Sequence, residues 1–180
     1  MFVLDQFIAD CSAAQACDRP LRQVREVVAR AVSDPAAILR CLGEPRRAVM
    51  RKLYHSAGLT ILNVVFAPGM TIPPHDHRMS AVIGIYTGRE DNLFWRHPPG
   101  TPSVQLEPAG VKVLSQREAV PLGADIIHSV TNPLSCMTGA IHVYSGDFFG
   151  AERSEWDPET RLQRPFNAEQ AFRRFEAANG

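Results

Sequence analysis

Two histidines one residue apart, in HDH at residues 75–77, follow Pro73 and Pro74 and precede the alternating apolar run SAVIGIYTG. Side chains two apart on a β-strand project to one face, so on a strand His75 and His77 present their ring nitrogens to the same cation. A third imidazole comes from GADIIHSVTN, residues 123–132, where His128 sits in an apolar run after the turn at Pro121–Gly123. Alone, a His-x-His pair is a weak signal and a half-buried histidine is commonplace. Together, in strand context, the three point to a metal site. Imidazole serves Fe, Zn, Cu and Ni alike, so the ligands do not name the metal. Three neutral imidazoles leave a divalent ion's charge uncompensated and several coordination positions open, which suits an anionic donor and a second reactant.

The elements that must position these residues follow from the periodicity. In LRQVREVVARAVSD, residues 21–34, Leu21, Val24, Val28 and Val32 recur at helical steps. Pro20 stands before that helix, and Asp34-Pro35 ends it. PAAILRCLG is a second, shorter helix, with Pro at its first position and Gly43 as its stop. From residue 48 the period changes. VMRKLYHS, LTILNVVFAPG, SAVIGIYTG, DNLFWRH, VKVLSQ, DIIHSVTN and TGAIHVYSGDFF are short runs rich in β-branched and aromatic residues, separated by Gly, Pro and Asn. With no helical pattern between them, they predict an antiparallel barrel or sandwich. The expected plan is one domain over residues 1–180: a helical segment over 1–45, a β-barrel over 48–150, and a tail over 151–180. That tail ends in a helix with Asn167 as N-cap and Phe172 and Phe175 on one face.

Composition excludes several function classes. The hydrophobic fraction is 45%, and 19 Lys plus Arg balance 19 Asp plus Glu. No net field or basic cluster favours nucleic acid or an anionic membrane. No run approaches the ~18 apolar residues of a membrane span, and MFVLDQFIADCSAA lacks the basic flank of a signal peptide. The four cysteines show no CxxC spacing and are expected as free buried thiols in a reducing cytoplasm. Expected partners are a small-molecule substrate and O2, with the chain a monomer or homodimer.

The ordered set HDH, GREDNLFW, IHSVTNP and GAIHVYSGDFF resembles the cupin superfamily, and within it the cysteine dioxygenase-like branch, the thiol dioxygenases. The resemblance covers roughly residues 50 to 150 and implies a double-stranded β-helix, the jelly-roll barrel, mainly β, with N-terminal helices and a C-terminal helix outside it. It implies one Fe(II) on His75, His77 and His128, with Zn or Ni as substitutes in a crystallised protein. Most cupins add a glutamate ligand a few residues after His-x-His. Ala81 or Val82 holds that place, leaving the three-histidine set of thiol dioxygenases. Mammalian cysteine dioxygenases carry a cysteine there that cross-links to a tyrosine, and no such cross-link can form in this chain.

His142 and Tyr144, again two apart on one strand face, match the end of a Ser-x-His-x-Tyr run. The resemblance makes Tyr144 the phenol near O2 or substrate and His142 the group that fixes its proton. Ala140 replaces the serine, so His142 must find another partner, water being one. The competing reading is a Tyr and a His packed in the core. The family also clamps a substrate carboxylate with an arginine on an early strand, where RKLYHSAG has Tyr54 and His55 instead. Arg51 is the nearest early arginine and Arg78 follows the His-x-His pair directly; a bidentate clamp needs such a guanidinium fork. Glu90 and Asp91 are expected at a solvated strand turn, His97 in a loop, and Trp95 and Trp156 in packing.

The expected activity is O2-dependent oxidation of a small thiol to its sulfinic acid. Two alternatives stand beside it: a cupin dioxygenase that cleaves a carbon–carbon bond in a diketone or related enolate, and a non-catalytic cupin that only binds a small molecule.

Overall fold

The structure is a computed structural model and describes residues 1–98 and 105–180. Pro99 and Gly100, part of the loop expected beside His97, lie outside the described residues. Three helices come first: α1 (Leu4–Gln15), α2 (Pro20–Val32) and α3 (Pro35–Leu42). Pro20 and Pro35 each occupy a first turn, where a missing N–H costs no hydrogen bond. Asp34 caps α3 by accepting from the Ala37 N–H at 3.1 Å. Gly43 follows it at φ 87°, a conformation that favours glycine.

Strands then dominate: β1 (Val49–His55), β2 (Thr60–Phe66), β3 (Thr71–Asp76), β4 (Ala81–Thr87), β5 (Arg89–Arg96), β6 (Glu107–Ser115), β7 (Ala119–Leu122), β8 (Ile127–Thr131) and β9 (Thr138–Tyr144). The tail adds β10 (Ser154–Trp156), β11 (Gln163–Pro165) and α4 (Ala168–Ala177). They form two antiparallel sheets, one ordered β1-β2-β9-β4-β7 and the other β11-β10-β3-β8-β5-β6. This is a double-stranded β-helix, mainly β, with helices at both ends of the chain. Of the expected barrel or sandwich, the described residues form a pair of facing antiparallel sheets with no closed barrel.

The central strands β2, β9 and β4 of the five-stranded sheet are buried on both faces. Its outer face packs Ile61, Val82, Ile141 and Val143 against Val24, Val28 and Val32 of α2. Gly84 permits the contact: a Cβ there would lie 2.4 Å from Val28 Cγ1. The inner face looks across at β3, β8 and β5, and α4 closes one end with Ala171 and Phe175. Asn167 caps α4 through the Gln170 N–H at 3.0 Å, and Asn179 bonds both backbone groups of Ala48. Phe175 is buried against Phe66, whereas Phe172, expected on the same face, is 38% exposed. Of the cysteines only Cys11 is buried; Cys17, Cys41 and Cys136 are exposed. No helix among the described residues is long and apolar enough to cross a membrane.

Candidate metal centre and its cavity

Register brings the three imidazoles together. His75 on β3 pairs directly with His128 on β8, and His77 follows one residue beyond the end of β3. One ring nitrogen from each of His75, His77 and His128 falls within 4.8 Å of the others, and all three residues are buried. Asp76 between them points the other way, accepting from the Ser154 N–H at 2.7 Å and pairing with Arg78. Strand alternation thus separates the ligands from the residue that ties β3 to the tail.

Hydrogen bonds leave nitrogens bare where a cation would need them. His75 Nδ1 lies 2.9 Å from the Pro73 carbonyl, which only accepts, so the ring donates there and its Nε2 keeps a lone pair. His128 Nδ1 lies 2.8 Å from Asn92 Oδ1, and His128 Nε2 has no partner at all. His75 Nε2 and His77 Nε2 stand 3.1 Å apart. Two nitrogens sharing a cation at 2.0–2.1 Å are separated by roughly 3.0–3.4 Å, so the spacing fits. Burial holds His75 down to about 4 and pushes His77 and His128 well below the usual imidazole range. Neutral imidazoles whose ring nitrogens lie within 4.8 Å of one another form a donor set that could hold a metal ion. Ala81, which faces inward opposite Tyr144, adds no carboxylate, and Val82 lies on the helix side.

The imidazoles open on a cavity of about 50 Å³ whose other polar walls are His142, Tyr144 and Arg153. His142 Nδ1 is 3.0 Å from the Tyr144 hydroxyl, and the Tyr144 ring lies 5.0 Å from that of His77. Burial raises the Tyr144 phenol far above its ordinary value, so it keeps its proton.

Neither arginine expected to hold substrate lines this cavity. Arg51 lies on the opposite face of β1 from Met50, exposed, and donates to the Leu42 carbonyl at 3.2 Å. Arg78 pairs with Asp76 at 2.7 Å and faces an outer cleft. The cavity's guanidinium belongs to Arg153, which is 7% exposed and lies between Phe148 and Phe166, 3.8 Å and 3.6 Å from their ring centroids. Its Nη1 has no hydrogen-bond partner. Burial lowers it to about 10, so it remains a cation at neutral pH. Arg153 also lines the outer cleft, so it stands at the boundary between cavity and solvent. Its sequence context, AERSEW, is polar and outside the periodic runs, so local pattern carried no signal for it. Glu90, expected in solvent, is fully buried: β5 begins at Arg89 and runs through the sheet between β8 and β6. Asp91, on the other side of β5, is the one held near the surface, by Arg89 at 2.6 Å.

No protein-family model matches the chain. Solved structures with partial similarity include an RmlC-like cupin with a double-stranded β-helix fold from Methanocaldococcus jannaschii, 17% identical, covering 57% of this chain and 84% of that one at a TM-score of 0.45. A cupin superfamily protein from Desulfitobacterium hafniense is 13% identical, with 58% and 82% covered at a TM-score of 0.44. An oxalate oxidase in complex with the substrate analogue glycolate is 17% identical, with 57% and 53% covered, also at 0.44.

Proposed function

We propose that this protein is a mononuclear non-haem iron dioxygenase that oxidises a small, anionic thiol to its sulfinic acid, R–SH + O2 → R–SO2H. One observation carries the reading: three neutral imidazoles with no carboxylate among them converge beside a phenol and a buried guanidinium with an unpaired N–H. His75, His77 and His128 would hold the iron, which when bound supplies the positions and electrons for the thiolate and O2.

The chain's own residues do the rest. Arg153 binds the substrate's anionic group: its planar fork is held by the two phenyl rings, and a carboxylate satisfies the idle Nη1. An aromatic sandwich limits the guanidinium's motion, so less entropy is lost on binding. Tyr144, held in its protonated form, presents its hydroxyl oxygen to the cavity as an acceptor and orients the reacting groups. Phe148, Phe175 and their neighbours exclude water, which strengthens each polar contact inside. A chamber of about 50 Å³ admits a substrate with few heavy atoms.

Metal analysis followed by O2 uptake tests the reading. The panel holds carboxylated thiols, neutral thiols of equal size, and diketones. Uptake is expected with the carboxylated thiols and iron. Arg153→Met should raise KM for these roughly a hundredfold, as loss of a charge-assisted pair implies, and leave neutral thiols unaffected. Uptake with a diketone and none with any thiol would replace this function by carbon–carbon cleavage.

A further inference from the structure

Glu90 is fully buried on β5, and neither of its carboxylate oxygens has a hydrogen-bond partner. A buried carboxylate without a partner is costly, so a group placed beside it acquires a role. That group is His142, across the gap between the sheets: its Nε2 lies 3.6 Å from Glu90 Oε1 and is likewise without a partner. Ala140, two residues back on the same face of β9, offers His142 no hydroxyl.

We propose that Glu90 is a positioning residue that completes a buried line Glu90–His142–Tyr144. The carboxylate holds the His142 proton on Nε2, and Nδ1 then faces the phenol as an acceptor. The separation of 3.6 Å is an ion-pair distance, longer than a hydrogen bond, and a shift of a few tenths of an ångström converts one into the other. The order is that of a base oriented by a third group, with the phenol in the place of the hydroxyl that the base serves.

The geometry has a chemical consequence at named atoms. Tyr144 can pass its hydroxyl proton to His142 Nδ1, 3.0 Å away, and take up the proton of a thiol entering the cavity. The S–H and the old O–H bonds break, a new O–H and an Nδ1–H form, and the imidazolium is compensated by Glu90. Without that carboxylate the imidazole is free to turn over, place its proton on Nδ1 and donate to the phenol, and the line no longer accepts a proton.

This inference rests on the thiol reading only for its kinetic arm. The primary test is nitrogen NMR of histidine-labelled, zinc-loaded protein without substrate, which reports the protonation of each His142 nitrogen. The expected spectrum has Nε2 protonated and Nδ1 bare, and in Glu90→Leu that preference collapses to a mixture. Glu90→Gln, whose amide oxygen still accepts from Nε2–H, should retain the tautomer while losing the charge. A bare Nε2 in wild type overturns the proposal even if neither variant folds, and so does an unchanged His142 spectrum in Glu90→Leu. In the kinetic arm, both variants should lower kcat about tenfold with KM within twofold; an unchanged kcat in both overturns it too. Absence of thiol turnover by wild type overturns the proposed function and leaves the NMR result to decide this inference.

Discussion

The two faces of the central strands β2, β9 and β4 are both buried, yet they treat polar groups in opposite ways. On the outer face, against α2, the cluster is apolar apart from Tyr86, and Tyr86 donates to Asn63 Oδ1 at 2.9 Å. On the inner face, and on the strands opposite, polar atoms are left open: both Glu90 oxygens, Asn92 Nδ2, His128 Nε2, His142 Nε2 and Arg153 Nη1. Among the described residues, the other buried side-chain polar atoms without hydrogen-bond partners are Gln15 Nε2 and Trp156 Nε1. Buried polar groups are normally satisfied, so a cluster of exceptions marks a face arranged for binding rather than for packing. Strand β9 serves both layers: Ile141 and Val143 look outward to stability, and His142 and Tyr144 look inward to chemistry.

The sharpest way to break this contrast is to remove a ligand. His128→Ala should release the metal and reduce activity to background, as read by iron content and O2 uptake. It also strands Asn92 Oδ1, at a cost of about 1–3 kcal/mol in denaturant unfolding. Metal bound at wild-type level by this variant would dissolve the distinction between the faces.

Acid should act on the same face. In the metal-free protein, His75 binds its proton near pH 4 when folded and near 6.5 when unfolded. Between those values the unfolded chain carries more protons, so stability is lost as pH falls from about 6.5 towards 4. His75 alone accounts for a loss on the order of 3 kcal/mol, and His77 and His128 shift in the same direction. Chemical unfolding of metal-free protein at pH 7 and pH 4.5, with His75→Phe as the comparison, measures it. A variant that loses as much stability as wild type over that range would remove His75 as the cause.

Legibility differs between the faces for a physical reason. Helix α2 and its valines, Pro35 at the start of α3, the cap at Asn167, and the His-x-His spacing are local, and each was readable from residues close in sequence. His128 was reachable because an apolar strand context is also local. What escaped depends on pairing across the fold. Strands β10 and β11 are three residues each, and β10 exists because Glu155 pairs with His75 and its own side chain holds Arg164 and Arg174. Arg153 immediately precedes it and is drawn inside with it. Glu90 looked like a turn residue beside Gly88, but β5 is bracketed by β6 and β8, and that placement buries it. Of the two arginines expected to hold substrate, Arg51 ended on a face set by strand alternation and Arg78 in the ion pair to Asp76.

A smaller effect is expected from filling the outer layer. Gly84→Ala would set a methyl 2.4 Å from Val28 Cγ1 and 2.9 Å from Val32 Cγ1. Valine is stiff at χ1, so α2 must move. The cost is about 1–3 kcal/mol of stability, with metal content and KM unchanged. Coupled loss of metal would mean that the helix layer holds the site in shape as well as stabilising the sheet.

The finest comparison uses two buried tyrosines of the same sheet, each with one hydrogen bond, on opposite faces. Tyr86 donates to Asn63 on the outer face, and Tyr144 lies 3.0 Å from His142 on the inner face. Phe preserves ring packing at both positions and removes only the hydroxyl. At Tyr86 the change leaves Asn63 Oδ1 without its partner, so thermal or denaturant unfolding should register about 1–3 kcal/mol, with kcat unchanged. At Tyr144 the lost hydroxyl is the one that faces the cavity, so kcat should fall about tenfold, equivalent to about 1.4 kcal/mol in the barrier. Iron content there should stay at the wild-type level, because the phenol is not among the three nitrogens that converge on the metal point. The paired measurement is O2 uptake with the best thiol, beside iron content and unfolding, for both variants. Equal rates for Tyr144→Phe at equal iron would assign this phenol to packing, making its face of the sheet no different from that of Tyr86. Iron loss in Tyr144→Phe would instead show that the phenol helps to hold the ligands, and the boundary between metal binding and substrate orientation would have to be redrawn through Tyr144.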